Sequence, residues 1–201
     1  MNAQYIYMIC AALLLQPVYG CNNKRGAQNT TSNKPETTSV QTQTQVKPAL
    51  SDEQQFRQFL KAFKLAVKQK NKAQLLQMFN DPVQTGPQWS NEDLQSSSVD
   101  HREDLVSRQE LPQYFDDIFT KDAQRLIPGS VEDELSEIDK HTTENYYQLL
   151  SQTADKGSTL YELQIQFVQD NGKETSFGFV FGKIKGTYRI LSYYSPWPLK
   201  G

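Results

Sequence analysis

The chain has 201 residues, 37% of them hydrophobic, with 21 Lys and Arg against 23 Asp and Glu and a net charge of −2. Two cysteines and two histidines exclude a disulfide framework and any metal centre built on several thiolates or imidazoles. The charge balance argues against a nucleic-acid partner, whose binding rests on neutralising phosphates.

Residues 6–15 read Ile-Tyr-Met-Ile-Cys-Ala-Ala-Leu-Leu-Leu. A bilayer-spanning helix needs ~20 apolar residues, so this run is too short to be one and has the length of a secretory h-region. Leu15-Gln16-Pro17-Val18-Tyr19-Gly20-Cys21 follows, with aliphatic Val18 and small Gly20 ahead of the cysteine. This stretch resembles the lipobox of bacterial lipoproteins. The resemblance implies that residues 1–20 are a signal peptide and that Cys21 becomes the lipidated first residue of the mature chain. Val18 and Gly20 also fit the spacing of a plain secretory signal. Cysteine usage separates the two readings, because Cys10 leaves with the signal and Cys21 would otherwise be a lone thiol in an exported protein. Asn22 after the cysteine resembles lipoproteins sent to the outer membrane, which implies a lipid-anchored place in the bacterial cell envelope with the facing side open.

Residues 21–50 are rich in Thr, Gln and Asn and hold almost nothing that could form a core. They are expected to be a flexible tether, on the order of 30 Å end to end. Lys24, Arg25, Lys34 and Lys47 outweigh Glu36 there. Removing those four basic residues and one acidic residue from the totals leaves 17 basic and 22 acidic residues in 51–201.

Residues 51–201 have the size of one domain. Ser51-Asp52-Glu53-Gln54 has the form of a capping box. Phe56, Phe59, Leu60, Phe63 and Val67 then share one helical stripe, which predicts a helix over 52–70. A shorter helix with Leu75, Leu76, Met78 and Phe79 is expected next, stopped by Asp81-Pro82. Residues 82–105 read as a loop with room for one short strand. Leu111, Tyr114, Phe115, Ile118 and Phe119 predict a further helix, continued from a Thr120 cap to Pro128-Gly129. A fourth helix is expected after Ser130, from Val131, Leu135 and Ile138 at i, i+4 and i+7.

After Thr142 the period changes to alternation and predicts an antiparallel meander. The turn at Asp170-Asn171-Gly172 is read as a three-residue loop with Gly172 left-handed. That choice pairs Ile165 with Phe177, Leu163 with Phe179 and Tyr161 with Phe181. Lys185-Gly186 turns the chain into 187–194, bringing Ile190 opposite Phe181 and Tyr194 opposite Phe177. The expected fold class is α+β, with N-terminal helices packed on one face of a C-terminal antiparallel β-meander. The order of elements resembles the NTF2-like (cystatin-like) cone. That family includes enzymes, ligand-binding proteins and structural modules, so the resemblance implies no single function.

No catalytic set emerges. His101 lies among Asp100, Arg102, Glu103 and Asp104, a solvated polar loop with nothing apolar to tune an imidazole. Glu137 and His141 would share a helix face as metal ligands, but lack the second histidine or cysteine of a zinc site. Glu132, Asp133, Glu134, Glu137 and Asp139 lack the spacing of an EF-hand loop and read as a solvated helix face. No catalytic residue, metal site or cofactor is therefore nominated, and the ligand-binding residues stay open. Trp89, Tyr146, Tyr147, Tyr188, Tyr193, Tyr194 and Trp197 could bind a glycan or protein from an exposed face, although aromatic residues in strands usually serve packing. The function expected is a membrane-tethered, non-enzymatic binding domain with an envelope protein or glycan as partner. The alternative is a small-ligand binder or enzyme with a site inside the cone.

Overall fold

The computed structural model describes residues 50–87, 104–197 and 199–200. The chain divides into two units, Met1–Val46 and Lys47–Gly201, and the described residues all belong to the second. Cys21, the signal segment, Trp89 and His101 lie outside the described residues.

The capping box forms as the sequence predicts. Ser51 Oγ accepts from Gln54 N–H at 3.2 Å and Gln54 Oε1 accepts from Ser51 N–H at 3.0 Å, starting helix α1, Asp52–Lys68. Its buried stripe of Phe56, Leu60, Phe63 and Val67 faces the sheet. Lys70, left-handed at φ 53°, ends the run, and Asn71 caps α2, Lys72–Met78, by accepting from Gln74 N–H. Phe79 belongs instead to β1, Phe79–Pro87, which is followed by the two-residue β2, Leu105–Val106. Leu111, Phe115, Ile118 and Phe119 are buried as expected, but on a broken path. A 3-10 turn at Leu111–Gln113 leads to α3, Phe115–Ile118, and Thr120 then caps a separate α4, Lys121–Leu126.

Two expectations fail between 130 and 153. The helix after Ser130 is instead a 3-10 turn, Glu132–Glu134, and strand β3, Leu135–Glu137. Leu135 and Ile138 look like one helical stripe, yet they pack against different hydrophobic clusters. In extended chain an odd spacing sends two side chains to opposite faces. After Thr142 the chain forms a helix, α5, Asn145–Thr153, before any strand. Tyr146 and Leu150, four apart, are its buried positions, a helical spacing outweighed in the sequence by the alternation downstream.

The meander follows as β4, Tyr161–Val168, β5, Glu174–Ile184, and β6, Thr187–Ser195. Ile165 pairs with Phe177, Leu163 with Phe179 and Tyr161 with Phe181, and Gly172 is left-handed at φ 78°, so the three-residue turn holds. The meander is the centre of a six-stranded mixed sheet of order β2-β1-β6-β5-β4-β3, in which β1 runs parallel to β6. The class is α+β. Both faces of the sheet are covered, however, where the sequence reading supplied a cover for only one.

The second cover depends on a bulge in β6. Phe181 pairs with Ile190 but Val180 pairs with Ser192, so Leu191 is an extra residue. An extra residue reverses the alternation beyond it. Tyr193 therefore packs with Ile190 in the helix-facing core, while Leu191 joins Tyr146, Leu150 and Val180 under α5. Tyr194 pairs with Gly178, not Phe177, which corrects the expected register by one residue. Its ring crosses Gly178 so closely that a Cβ there would lie 2.2 Å from Tyr194 Cζ. Gly178→Ala should therefore cost about 1–3 kcal/mol by overpacking. Urea unfolding should show that loss shrinking in a Tyr194→Ala background, because the clash partner is gone; an equal loss in both backgrounds would contradict the close approach.

Candidate functional site

The space between helices and sheet, where a site inside a cone would lie, is filled with rings. Phe56, Phe63, Phe79, Phe119, Phe179 and Phe181 are each at most 1% exposed. Phe63 meets Phe179 edge-on with centroids 5.3 Å apart, and Phe119 stacks on Phe179 at 6.0 Å. Such contacts contribute beyond the area they bury, and they leave ionisable groups to the ends of the layer.

One end is closed by Asp52. Phe56, a turn later on α1, stacks on Tyr161 at 3.8 Å. Asp52 Oδ2 accepts from Tyr188 Oη at 2.8 Å and from Thr159 N–H at 3.2 Å, and Oδ1 pairs with Lys183 Nζ. Burial pushes the Asp52 pKa up, but the bonds from Lys183, Tyr188 and Thr159 outweigh it and hold the carboxyl below its ordinary value. Its support of the fold is thus present at neutral pH and lost as pH falls through the lowered value.

The other end, beside the β4–β5 hairpin, carries an open groove of about 460 Å³, within the size range of small-ligand sites. Asp117 of α3, Thr120 at the cap of α4 and Asp122 of α4 form its helical wall. Phe167, Gln169, Thr175 and Ser176 form the hairpin wall, with Phe177 and Tyr193 at the floor. Ser195, Pro196, Trp197 and Leu199 close it from the C-terminal segment. Tyr193 Oη donates to Asp117 O at 3.5 Å, and burial pushes the phenol up to about 12. Arg125 pairs with Asp122 at 2.6 Å. No Lys, Arg or His is among the lining residues described.

A third polar cluster lies on the opposite face of the sheet, beneath α5. Glu162 is 9% exposed, and its Oε1 accepts from Tyr147 Oη at 2.8 Å and Tyr194 Oη at 3.0 Å. Tyr146 Oη shares a hydrogen bond with Ser192 Oγ alongside. Burial raises the Glu162 pKa, opposed by the two phenol bonds and assisted by the like charge of Glu144. Burial and the Glu162 charge push both phenols well above their usual range. The phenols are donors and the carboxylate an acceptor, an arrangement that fastens α5 to the sheet.

The residues singled out from sequence are dispersed. Glu137 lies in β3 and His141 in the turn beyond it, so they share no helix face. The acidic run is exposed as expected but is not a helix face: Glu132, Asp133, Glu137 and Asp139 are exposed along a 3-10 turn, a strand and the residues just beyond it. Glu132 accepts from Arg57 at 2.8 Å and Glu134 accepts from Val131 N–H at 2.7 Å. Among the described residues no group of three His, Cys, Asp or Glu could hold a metal ion. Tyr188, Tyr193 and Tyr194 are buried at 3%, 3% and 5%, whereas Trp197 is 77% exposed. Glu162 was hidden in the sequence as the polar partner of an alternating strand. Asp117, Thr120 and the hairpin residues converge only through the fold.

No family model matches the chain, and no curated protein matches it. Among solved structures it is similar to a Xanthomonas campestris protein described as a candidate calcium/calmodulin dependent protein kinase II association domain. That match has 17% identity and a TM-score of 0.35, covering 74% of this chain and 89% of that one. It is also similar to an NTF2-like protein of unknown function from Cytophaga hutchinsonii, with 10% identity and a TM-score of 0.31 over 70% of this chain and 97% of that one. The α+β assignment rests on the elements and registers described above.

Glu162 provides a test with a definite sign. A carboxyl whose pKa is raised by folding favours the fold when protonated, so its contribution falls as pH rises through the ordinary carboxylate value to the raised one. The Asp52 effect runs the other way but is common to both proteins compared. As pH rises through and above the ordinary carboxylate range, the native chain should lose stability relative to Glu162→Gln in thermal unfolding. Parallel curves would show that Glu162 is not desolvated.

Proposed function

We propose that the chain is an exported bacterial lipoprotein, anchored through Cys21 and held off the membrane by residues 22–50. Its α+β domain acts by binding, without chemistry of its own. The observation that carries the binding reading is the filled interior: the rings of Phe63, Phe119, Phe179 and Phe181 occupy the space that a substrate inside the cone would need. That filling counts against the alternative of a small-ligand binder or enzyme with an internal site. Among the described residues the groove at the hairpin end brings polar and aromatic groups together at an accessible surface, and we assign binding there.

The anchor is supported by Val18, Gly20 and Cys21, and the outer membrane by Asn22. A single acyl chain binds membranes only marginally, so stable anchoring would use more than one on the same cysteine. Fed an alkyne fatty acid, cells should label the native chain and retain it in the membrane fraction. Cys21→Ala should abolish the label and move the protein to the soluble fraction. Unchanged partition of Cys21→Ala would rule out the lipid anchor, and an unlabelled soluble native chain would point to plain secretion.

A further inference from the structure

The groove at the hairpin end has a composition that selects among ligands. The Asp117 carboxylate repels anions. The Asp117 carboxylate has no hydrogen-bond partner among the described residues, and Asp122 is already paired with Arg125. Phe177 and Tyr193, 5% and 3% exposed, offer no open ring faces on which a cation could sit. The Thr175 hydroxyl and the Gln169 amide line it, whereas the Thr120 hydroxyl caps α4 and the Ser195 hydroxyl donates to Trp197 O. A hydroxyl and an amide that donate and accept, beside an acceptor-only carboxylate and an aromatic face, match a ligand with alternating hydroxyl edges and apolar ring faces.

Trp197 supplies that face, and residues on either side of it are tied down. Before it, Ser195 Oγ donates to Trp197 O at 2.7 Å. Beyond it, Leu199 packs against the core, and Lys200 Nζ donates to Leu105 O at 2.7 Å and to Glu110 at 2.9 Å. Glu110 is fixed in turn by Ser107 N–H at 2.9 Å and Ser107 Oγ at 2.7 Å. The bonds from Ser107 and Lys200 hold the Glu110 pKa down to about 2, so the fastening persists well into acid. The Trp197 ring, 77% exposed, is open to stacking on a backbone that these contacts tie to the domain.

We infer that the groove binds an uncharged oligosaccharide, one sugar ring stacking on Trp197 while the Asp117 carboxylate accepts from hydroxyls of a neighbouring ring. Phosphorylated and carboxylated glycans are disfavoured by the Asp117 carboxylate. This rests on the reading of the groove as the binding surface.

The test uses the full chain carrying Cys21→Ser, which keeps it unlipidated, followed by amide chemical shifts. It is titrated separately with neutral β-linked glucose and N-acetylglucosamine oligomers, with choline and with inorganic phosphate. The neutral oligomers should shift Ser176, Ser195 and Trp197 saturably, with an affinity insensitive to salt because the ligand is uncharged. Trp197→Ala should weaken that binding at least about tenfold, and Asp117→Asn should weaken it without altering the rest of the spectrum. Groove shifts with choline or phosphate alone would overturn the saccharide while leaving the groove as a binding surface. Silence from every ligand at the groove would overturn both.

Discussion

The extra residue at Leu191 is the constraint on which the two-sided architecture depends. Without it, alternation along β6 would carry Tyr193 away from the helices and Tyr194 into their core. With it, Leu191 and Ser192 both face α5, opposite Val180. Tyr193 then completes the aromatic layer and the groove floor. Tyr194 crosses Gly178 to reach Glu162. One inserted residue therefore determines what lies on each side of the sheet, because strand side chains repeat with a period of two.

The two faces are stabilised differently. Between the N-terminal helices and the sheet aromatic rings pack among aliphatic side chains such as Leu60, Ile118 and Leu163, and the polar fastening at Asp52 lies at the end of the layer. Under α5 the apolar cluster is smaller, with Tyr146, Leu150, Leu160, Val180 and Leu191 at its centre. There a buried carboxylate needs its phenol donors, because an unsatisfied charge in that setting would be costly. The filled aromatic layer restricts access to the interior, and the groove forms where that layer ends.

Much of the fold was legible because its signals are local. The Ser51 capping box needs only a hydroxyl and an amide three residues apart. The β4–β5 register followed from Phe177, Phe179 and Phe181 having to share a face with Ile165 and Leu163, which left one turn length possible. Failures came where one pattern fits two periods. Leu135 and Ile138 suit a helix by spacing, but β4 offers Leu135 a pairing partner in Leu163, and tertiary pairing overrides a short helical pattern. Tyr146 and Leu150 were a real helical pair too short to stand out before three strands.

By itself the sequence determined the capped first helix, the three hairpin strands, the apolar stripe facing the helices and the lipobox-like residues around Cys21. These depend on neighbours within a few positions, where capping, alternation and turn geometry act. Only tertiary structure decided that β1 adds parallel to β6, that Glu162 is buried, and that Asp117, Ser176 and Trp197 share one groove. Each of those facts joins residues far apart in the chain, and which of them meet is settled by how the layers pack around the bulge at Leu191.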